Sequence, residues 1–245
     1  MLHLSVADRV HRVEEAHTNW YVVEEGDEVT VVDAGFPRSW RSLQELLGRL
    51  GRKRVAAVVL THGHVDHVGF AERARRELGV PVFAHEREVP VTRHPTRYDH
   101  ERSRLPYLLR HPGFDRNLVA MAAMGALRVD GVERVTTYVD AEQLDVPGRP
   151  RVVFTPGHTH GHCALLLGDR GVLFAGDSFV TYNPYRNSTG PQIVSGAATA
   201  DSELALRSLD VLVDLDVGVV LTGHGEPWTQ GTRLAVERAK AAGPS

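Results

Sequence analysis

Three histidines and an aspartate lie within six consecutive positions, 62–67, where the sequence is His-Gly-His-Val-Asp-His. They directly follow an apolar run, residues 55–60, that predicts a buried strand. Imidazole and carboxylate groups are ligands that zinc, iron and manganese accept, and beside a buried strand so many polar groups would otherwise be unsatisfied. The cluster therefore predicts a metal site.

The spacing within this cluster predicts how its ligands divide. Side chains alternate between two faces of an extended segment, so His62 and His64 point the same way and can bind one ion together. Asp66 and His67 are adjacent and lie where the chain enters a helical pattern over residues 68–78. They are better placed to bind a second ion. Two ions need more ligands than this cluster has, so we expect the rest of the chain to supply them.

An apolar strand followed by a glycine-containing turn and a candidate ligand recurs at three further places. The strands near 152, 172 and 217 run into His158, Asp177 and His224. Glycine beside each ligand lets the backbone turn tightly around an ion. Each of these residues taken alone could equally be a helix cap or a turn residue. Because four strands end in this way, we expect the ligands to converge at one edge of a sheet.

Together these motifs resemble those of the metallo-β-lactamase-fold superfamily of metal-dependent hydrolases. The similarity rests, in the family's order, on residues 31–35, 61–67, 155–159, 176–178 and 223–225. The alternation of strand and helix patterns predicts an α/β fold. The resemblance implies the specific four-layer αβ/βα sandwich, and the length of 245 residues fits a single domain over 1–245.

The resemblance also implies two divalent metal ions and assigns their ligands. One ion would be bound by His62, His64 and His158, the other by Asp66, His67 and His224, with Asp177 bridging both. We expect zinc, although the same ligands accept iron or manganese. The family further suggests that Asp66 is catalytic and relays a proton to the leaving group. Asp33 is expected to orient a ligand histidine, or else to be a turn residue without a link to the metals.

A hydroxide that bridges two cations has its pKa lowered toward neutrality, so it is a nucleophile at physiological pH. We therefore expect a dinuclear hydrolase that uses this hydroxide to cleave a small ester, thioester or lactone. The alternative is a mononuclear non-haem iron oxygenase resembling the persulfide dioxygenases of this fold. Its facial ligands would be His62, His158 and Asp177.

The sequence departs from several better-known branches of the family. Drug-hydrolysing β-lactamases of this fold usually have a cysteine where this chain has Asp177, and the single cysteine here is Cys163, within a predicted strand. The flavodiiron branch has a glutamate where this chain has His64. The helical C-terminal domain of glyoxalase II and the RNA-gripping arm of the tRNA-processing nucleases have no counterpart here. These four activities are therefore not expected.

Composition indicates a small-molecule substrate. The formal net charge is −3, with 28 Lys and Arg against 31 Asp and Glu, so no overall field attracts nucleic acid or an anionic membrane. The sequence has neither a leader-like apolar segment at its start nor a stretch of bilayer-spanning length. Its one cysteine allows no internal disulfide, which fits a reducing compartment. We expect a cytoplasmic protein that binds neither nucleic acid nor membrane.

Residues 86–130 interrupt the alternation of strand and helix patterns, and their sequence predicts a helical insertion. The insertion is rich in basic side chains, namely Arg87, Arg93, Arg97, Arg102, Arg104, Arg110, Arg116, His94, His100 and His111. It could cover the metal cleft and shape the substrate pocket, or form a contact in a homodimer. If the arginines face the cleft, an anionic substrate is favoured. If they face water, the insertion is a solvated helical excursion.

Several other polar side chains lie close to the predicted ligands in sequence. In the loop after Asp177, Tyr182 or Tyr185 could donate a hydrogen bond to a substrate oxygen, but packing is the simpler interpretation. We interpret three further histidines as loop anchors or structural residues rather than ligands, namely His85, His160 and His162.

Overall fold

Two β-sheets lie face to face in the computed structural model, which describes residues 1–103, 105, 107 and 114–245. The first sheet contains β1 (Leu2–Ala7), β2 (Val10–Glu15), β3 (Thr18–Glu25), β4 (Glu28–Val32), β5 (Arg54–Val59), β6 (Val82–His85) and β7 (Thr136–Tyr138). These strands are neighbours in chain order. They pair antiparallel from β1 to β4 and parallel from β4 to β7.

The remaining strands come from the second half of the chain. They are β8 (Arg151–Phe154), β9 (Cys163–Leu167), β10 (Val172–Gly176), β11 (Val180–Asn183), β12 (Ser188–Gln192) and β13 (Val219–Thr222). The second sheet has the order β13-β10-β9-β8, while β11 and β12 form a separate hairpin. Since β9 is antiparallel to both β8 and β10, and β13 is parallel to β10, the strands β8, β10 and β13 share one direction.

Helices cover the outer face of each sheet. The α-helices of the described residues are α1 (Trp40–Arg49), α2 (Ala71–Leu78), α3 (Val89–Arg93), α4 (Phe114–Ala123), α5 (Ser202–Ser208) and α6 (Thr232–Ala242). Leu43 of α1 and Ala74 of α2 belong to the apolar cluster on the first sheet. Ala205 of α5 and Ala235 of α6 belong to the cluster on the second sheet.

Alternating side chains of β10 show how the layers are held together. Val172 and Phe174 point into the apolar cluster between the two sheets, whereas Leu173 and Ala175 point into the cluster under α5 and α6. This period of two is what a strand buried on both faces requires. The order of layers is therefore helix, sheet, sheet, helix. The prediction of an α/β four-layer αβ/βα sandwich is confirmed.

The expectation that the four ligand-bearing strands end at one edge of a single sheet is wrong. Strand β5, which precedes the 62–67 cluster, lies in the first sheet, while β8, β10 and β13 lie in the second. The strand ends meet across the gap between two facing sheets. Sequence spacing could not distinguish the two arrangements, because an apolar run does not indicate which sheet a strand joins.

Two strands near the start of the chain, β1 and β2, were not predicted, and the sequence of β2 is polar. Strand β2 reads Val-His-Arg-Val-Glu-Glu, yet His11 and Arg12 are almost fully buried. They are tolerated because His11 Nε2 lies 2.7 Å from Glu24 Oε1 and Arg12 Nη2 donates to Glu226 Oε1 at 2.9 Å.

One helix boundary also differs from the prediction: the helix expected over 68–78 begins at Ala71.

The described part of the 86–130 segment is largely helical. It comprises a 3₁₀ turn at Glu86–Glu88, the helices α3 and α4, and a second 3₁₀ turn at Ala126–Arg128. Its described arginines are exposed: Arg87, Arg93, Arg97, Arg102, Arg116 and Arg128. The predictions for Arg104, Arg110 and His111 fall outside the described residues.

Among the helices of the described residues, none combines the length and apolar character that crossing a membrane requires.

Gly69 is required by the close approach of two loops, so Gly69→Ala should be strongly destabilising. A Cβ at this position would lie 2.2 Å from Phe36 Cα, a backbone atom that cannot move aside alone. We expect the free energy of unfolding to fall by about 3 kcal/mol or more in urea denaturation. The control is Gly48→Ala in α1, where a Cβ meets nothing within 4 Å. It should gain about 0.5–1 kcal/mol. Equal effects of the two variants would contradict this account.

Candidate metal centre

The structure brings together all seven side chains that the sequence indicated as metal ligands. Their ligand atoms lie within 4.8 Å of one another in three groups, namely His62, His64 and His158; His62, His67 and Asp177; and Asp66, His67 and His224. All seven residues are buried. The loops after β5, β8, β10 and β13 therefore deliver their polar residues to one place between the sheets.

Asp177 lies between the group of His62, His64 and His158 and the group of Asp66, His67 and His224. Its Oδ2 is 3.4 Å from His158 Nε2 and 3.2 Å from His224 Nε2, and its Oδ1 is 3.8 Å from His67 Nε2. His64 approaches the centre through Nδ1, which lies 3.0 Å from His158 Nε2. The carboxylate of Asp177 thus faces histidines from both halves of the chain.

Unsatisfied buried atoms indicate that the centre suits a cation. Among the described residues, His62 Nε2, His67 Nε2 and Asp177 Oδ1 are buried and have no hydrogen-bonding partner. Burying such atoms unpaired costs free energy, and native structures rarely tolerate several of them side by side. A divalent ion accepts lone pairs from both imidazole and carboxylate. The donor set therefore fits a metal ion.

Hydrogen bonds to Asp33 and Thr61 orient two of the histidines. Asp33 Oδ2 lies 2.9 Å from His67 Nδ1, and the same carboxylate accepts from Thr61 Oγ1 at 2.9 Å and from Thr61 N at 2.8 Å. Because the Thr61 hydroxyl proton is donated to Asp33, its oxygen accepts from His62 Nδ1 at 3.0 Å. In their neutral form both histidines then carry the proton on Nδ1 and direct the lone pair of Nε2 into the centre.

Two further histidines are oriented in the same way by other parts of the chain. His158 Nδ1 lies 3.2 Å from Thr199 Oγ1, whose own proton is donated to the carbonyl of Val194 at 2.8 Å. His224 Nδ1 donates to the carbonyl of His17 at 2.7 Å. In both residues Nε2 is left with its lone pair, which is the form that binds a metal.

His162 positions Asp177 and is not a candidate ligand. Its Nε2 accepts from the backbone N–H of Asp177 at 2.9 Å, so its Nδ1 carries the proton that is donated to Thr155 Oγ1 at 2.8 Å. Burial lowers the pKa of His162 to about 3, which keeps the ring neutral. The interpretation of His162 as a loop anchor agrees with these contacts. The other two histidines that the sequence analysis interpreted as structural, His85 and His160, are not candidate ligands either. His160 is exposed and pairs with Asp99, and the ring of His85 stacks on Phe154.

Gly223 leaves room for the Asp177 carboxylate. A Cβ at position 223 would lie 2.0 Å from Asp177 Oδ1 and 2.8 Å from His67 Cε1. Any other residue would force two candidate ligands out of place. The glycine next to His224 is thus needed for space at the centre.

Glu88 is a positioning residue that sequence reasoning missed. It is fully buried, and its carboxylate accepts from Gly63 N at 2.7 Å and from Gly161 N at 2.8 Å. It therefore connects the loop of His62 and His64 to the loop of His158. The only available signal was an acidic residue just after a strand, which is common on protein surfaces.

Electrostatics within the centre favour positive charge near His67. Burial lowers the pKa of His67, but Asp33, Asp66 and Asp177 together outweigh burial and raise it to about 10. Burial lowers the pKa of His158 to about 3, so that its ring is neutral. One side of the centre thus stabilises a cation through three carboxylates, and the other offers neutral nitrogen lone pairs.

A cavity of about 200 Å³ gives access to the centre. Its floor includes His64, Asp66, His158, Asp177 and His224. Thr18 Oγ1, which also lines it, donates to Asp66 Oδ2 at 3.2 Å. A small molecule in this cavity would contact Asp66 directly.

The two tyrosines of the loop after Asp177 differ in their positions. Tyr185 lines the cavity, and its ring lies 5.8 Å from the ring of Tyr107. Tyr182 is outside the cavity lining, and its hydroxyl donates to Asn187 Oδ1 at 2.7 Å. The packing interpretation therefore suits Tyr182.

Comparison with known proteins supports the similarity noted in the sequence. The family model described as the metallo-beta-lactamase superfamily matches residues 13–224. The probable metallo-hydrolase YflN of Bacillus subtilis is 31% identical over 240 residues, which cover 91% of this chain and 86% of that protein.

Solved structures show the same fold. The metallo-beta-lactamase family protein TTHA1429 from Thermus thermophilus superimposes with a TM-score of 0.69 at 29% identity, covering 96% of this chain and 79% of that one. A di-iron-bound form of TTHA1623 has a TM-score of 0.61 at 24% identity, over 89% and 92% of the two chains. With a family model that matches most of its length and a centre of histidines and aspartates that could hold metal, this protein belongs to the metallo-beta-lactamase superfamily.

Proposed function

We propose that this protein is a dinuclear metal-dependent hydrolase that cleaves a small ester, thioester or lactone. The observation that carries the proposal is the pair of ligand groups on either side of Asp177. His62, His64 and His158 would hold one ion, Asp66, His67 and His224 the other, and Asp177 both. The superfamily and the probable metallo-hydrolase relative support hydrolysis as the type of reaction.

Two bound divalent ions would supply a nucleophile from water near neutral pH and polarise the substrate carbonyl. The protein's own side chains hold this arrangement in place. Asp33 and Thr61 fix the tautomers of His67 and His62, so no reorientation is needed when an ion binds. Thr18 orients the carboxylate of Asp66 toward the cavity. Asp66 is our candidate for carrying the proton to the leaving group.

Zinc is the proposed metal, because it favours histidine and carboxylate ligands in hydrolytic sites. The same donor types also bind iron and manganese. The neighbour of this fold solved in a di-iron-bound form illustrates that the fold itself does not select zinc. Availability of the metal then decides which ion is bound.

The mononuclear iron oxygenase is the alternative outcome of the same experiments. Its three ligands would be His62, His158 and Asp177. That scheme gives no function to the group formed by Asp66, His67 and His224, whose ligand atoms also lie within 4.8 Å of one another. The dinuclear hydrolase accounts for both groups, so we favour it.

Replacement of His67 tests the dinuclear proposal. The wild-type protein should bind two ions per chain by elemental analysis and hydrolyse at least one compound in a panel of small esters, thioesters and lactones. His67→Ala should bind one ion, and its kcat should fall by more than about 100-fold, because removing a ligand costs more than removing a residue that orients one. The control is His160→Ala, an exposed histidine from the same loop as His158.

A wild-type protein that binds one ion and hydrolyses nothing in the panel would overturn the proposal. One iron per chain, with oxygen uptake on a persulfide, would establish the alternative.

Asp33→Asn should weaken metal binding without removing a proposed ligand. The variant replaces the carboxylate that accepts from His67 Nδ1 and from Thr61, so we expect metal affinity to fall by about 10–100-fold in competition with a chelating indicator. Asp99→Asn, at an exposed aspartate, is the matched control. Urea denaturation of the metal-free proteins separates a loss of affinity from a loss of folding. Unchanged affinity in Asp33→Asn would contradict the role of this residue.

A further inference from the structure

Part of the cavity lining comes from the 86–130 segment and is largely apolar. Five apolar residues of this segment line the cavity, namely Leu118, Met121, Ala122, Ala126 and Leu127, together with Thr96, Tyr98 and Asn117. The first three come from one face of α4, where residues three or four positions apart are neighbours. We call these five residues the apolar wall. Val194 and Ala198 add apolar surface from the second half of the chain.

Two large side chains of the apolar wall are exposed to solvent. Leu118 is 38% exposed and Leu127 is 81% exposed. A contiguous apolar surface beside polar residues is typical of a ligand-binding cleft. Covering this surface with an apolar ligand group would release water and favour binding.

Hydrogen bonds near both ends of α4 attach the apolar wall to the rest of the fold. At one end, Asn117 Nδ2 donates to the carbonyl of Pro184 at 2.7 Å, in the loop that follows Asp177. Just beyond the other end, Arg38 N donates to the carbonyl of Met124 at 3.2 Å. The first of these bonds connects α4 to the loop next to the metal centre.

Lysine and arginine side chains are absent from the lining of this cavity within the described ranges. The described arginines of the 86–130 segment are exposed to water instead, as in the solvated interpretation of this segment. A carboxylate or phosphate at the far end of an alkyl chain, away from the reacting carbonyl, would therefore lie against the apolar wall without a lysine or arginine partner among the described residues.

We propose that the apolar wall binds an uncharged aliphatic group of the substrate, which makes neutral esters, thioesters or lactones with an alkyl chain the preferred class. This inference rests on the proposed hydrolase function. Each CH₂ group that the wall removes from water should increase kcat/KM about fourfold until the cavity is filled.

Two ester series with the metal-loaded wild-type protein test this. The first holds 4-nitrophenol constant and lengthens the acyl group from acetate to octanoate. The second holds acetate constant and lengthens the alcohol from ethanol to octanol. We expect kcat/KM to rise along at least one series. A terminal carboxylate on the hexanoyl group should lower kcat/KM by more than tenfold relative to hexanoate.

Met121→Asp places a charge in the apolar wall and should abolish the rise of kcat/KM with chain length. Val119→Asp is the matched control, because Val119 is on the same helix, 69% exposed and outside the cavity lining. Leu118→Ser is the second variant if Met121→Asp does not fold, as judged by circular dichroism.

The outcomes separate the two proposals. If the wild-type protein hydrolyses acetate esters but shows no chain-length dependence in either series, the apolar wall has no role in substrate binding. The same conclusion follows if Val119→Asp and Met121→Asp have equal effects. If the metal-loaded protein hydrolyses none of the esters, the proposed function itself fails.

Discussion

A single buried carboxylate, that of Asp33, holds the end of β4 against the loop that carries four of the seven candidate ligands. It accepts hydrogen bonds from the backbone and hydroxyl of Thr61 and from His67 Nδ1. Asp33 itself has a φ of 60°, a left-handed conformation that aspartate tolerates better than most residues. Neighbouring backbone hydrogen bonds, such as the one from Ala34 N to the carbonyl of His67 at 2.6 Å, connect the same turn and loop. The position of the loop thus depends on one turn of the first sheet.

The arrangement around the centre repeats one principle with different partners. Four histidines donate through Nδ1 to other parts of the protein. The acceptor of His62 is the neighbouring Thr61, while Asp33, Thr199 and the carbonyl of His17 come from distant parts of the chain. Each acceptor fixes a tautomer and leaves Nε2 with its lone pair. These acceptors belong to loops at the ends of both sheets, so the geometry of the centre depends on the packing of the whole sandwich. A stable structure around any one ligand would not by itself fix the geometry of the centre.

The sequence predicted the candidate ligands and the layered fold because both depend on local patterns. Apolar runs that end in a glycine and a histidine or aspartate are visible in a window of ten residues. Strand β2 was missed because Arg12 and His11 are buried by pairing with residues far along the chain, and no local pattern indicates such pairing. Glu88 and Thr199 were missed for the same reason, since their partners lie in other loops. The assignment of strands to two sheets likewise requires long-range contacts.

Glu88 and α4 belong to the same segment but have separate tasks. Glu88, near the beginning of the segment, accepts hydrogen bonds from Gly63 and Gly161 and so connects their two loops. The side chains of α4 that line the cavity come more than twenty-five residues later in the sequence. On the proposed function, substitutions in α4 would change which compounds are bound, while Glu88 would keep the two ligand-bearing loops together. Substitutions would therefore be tolerated better in α4 than at Glu88, although both belong to residues 86–130.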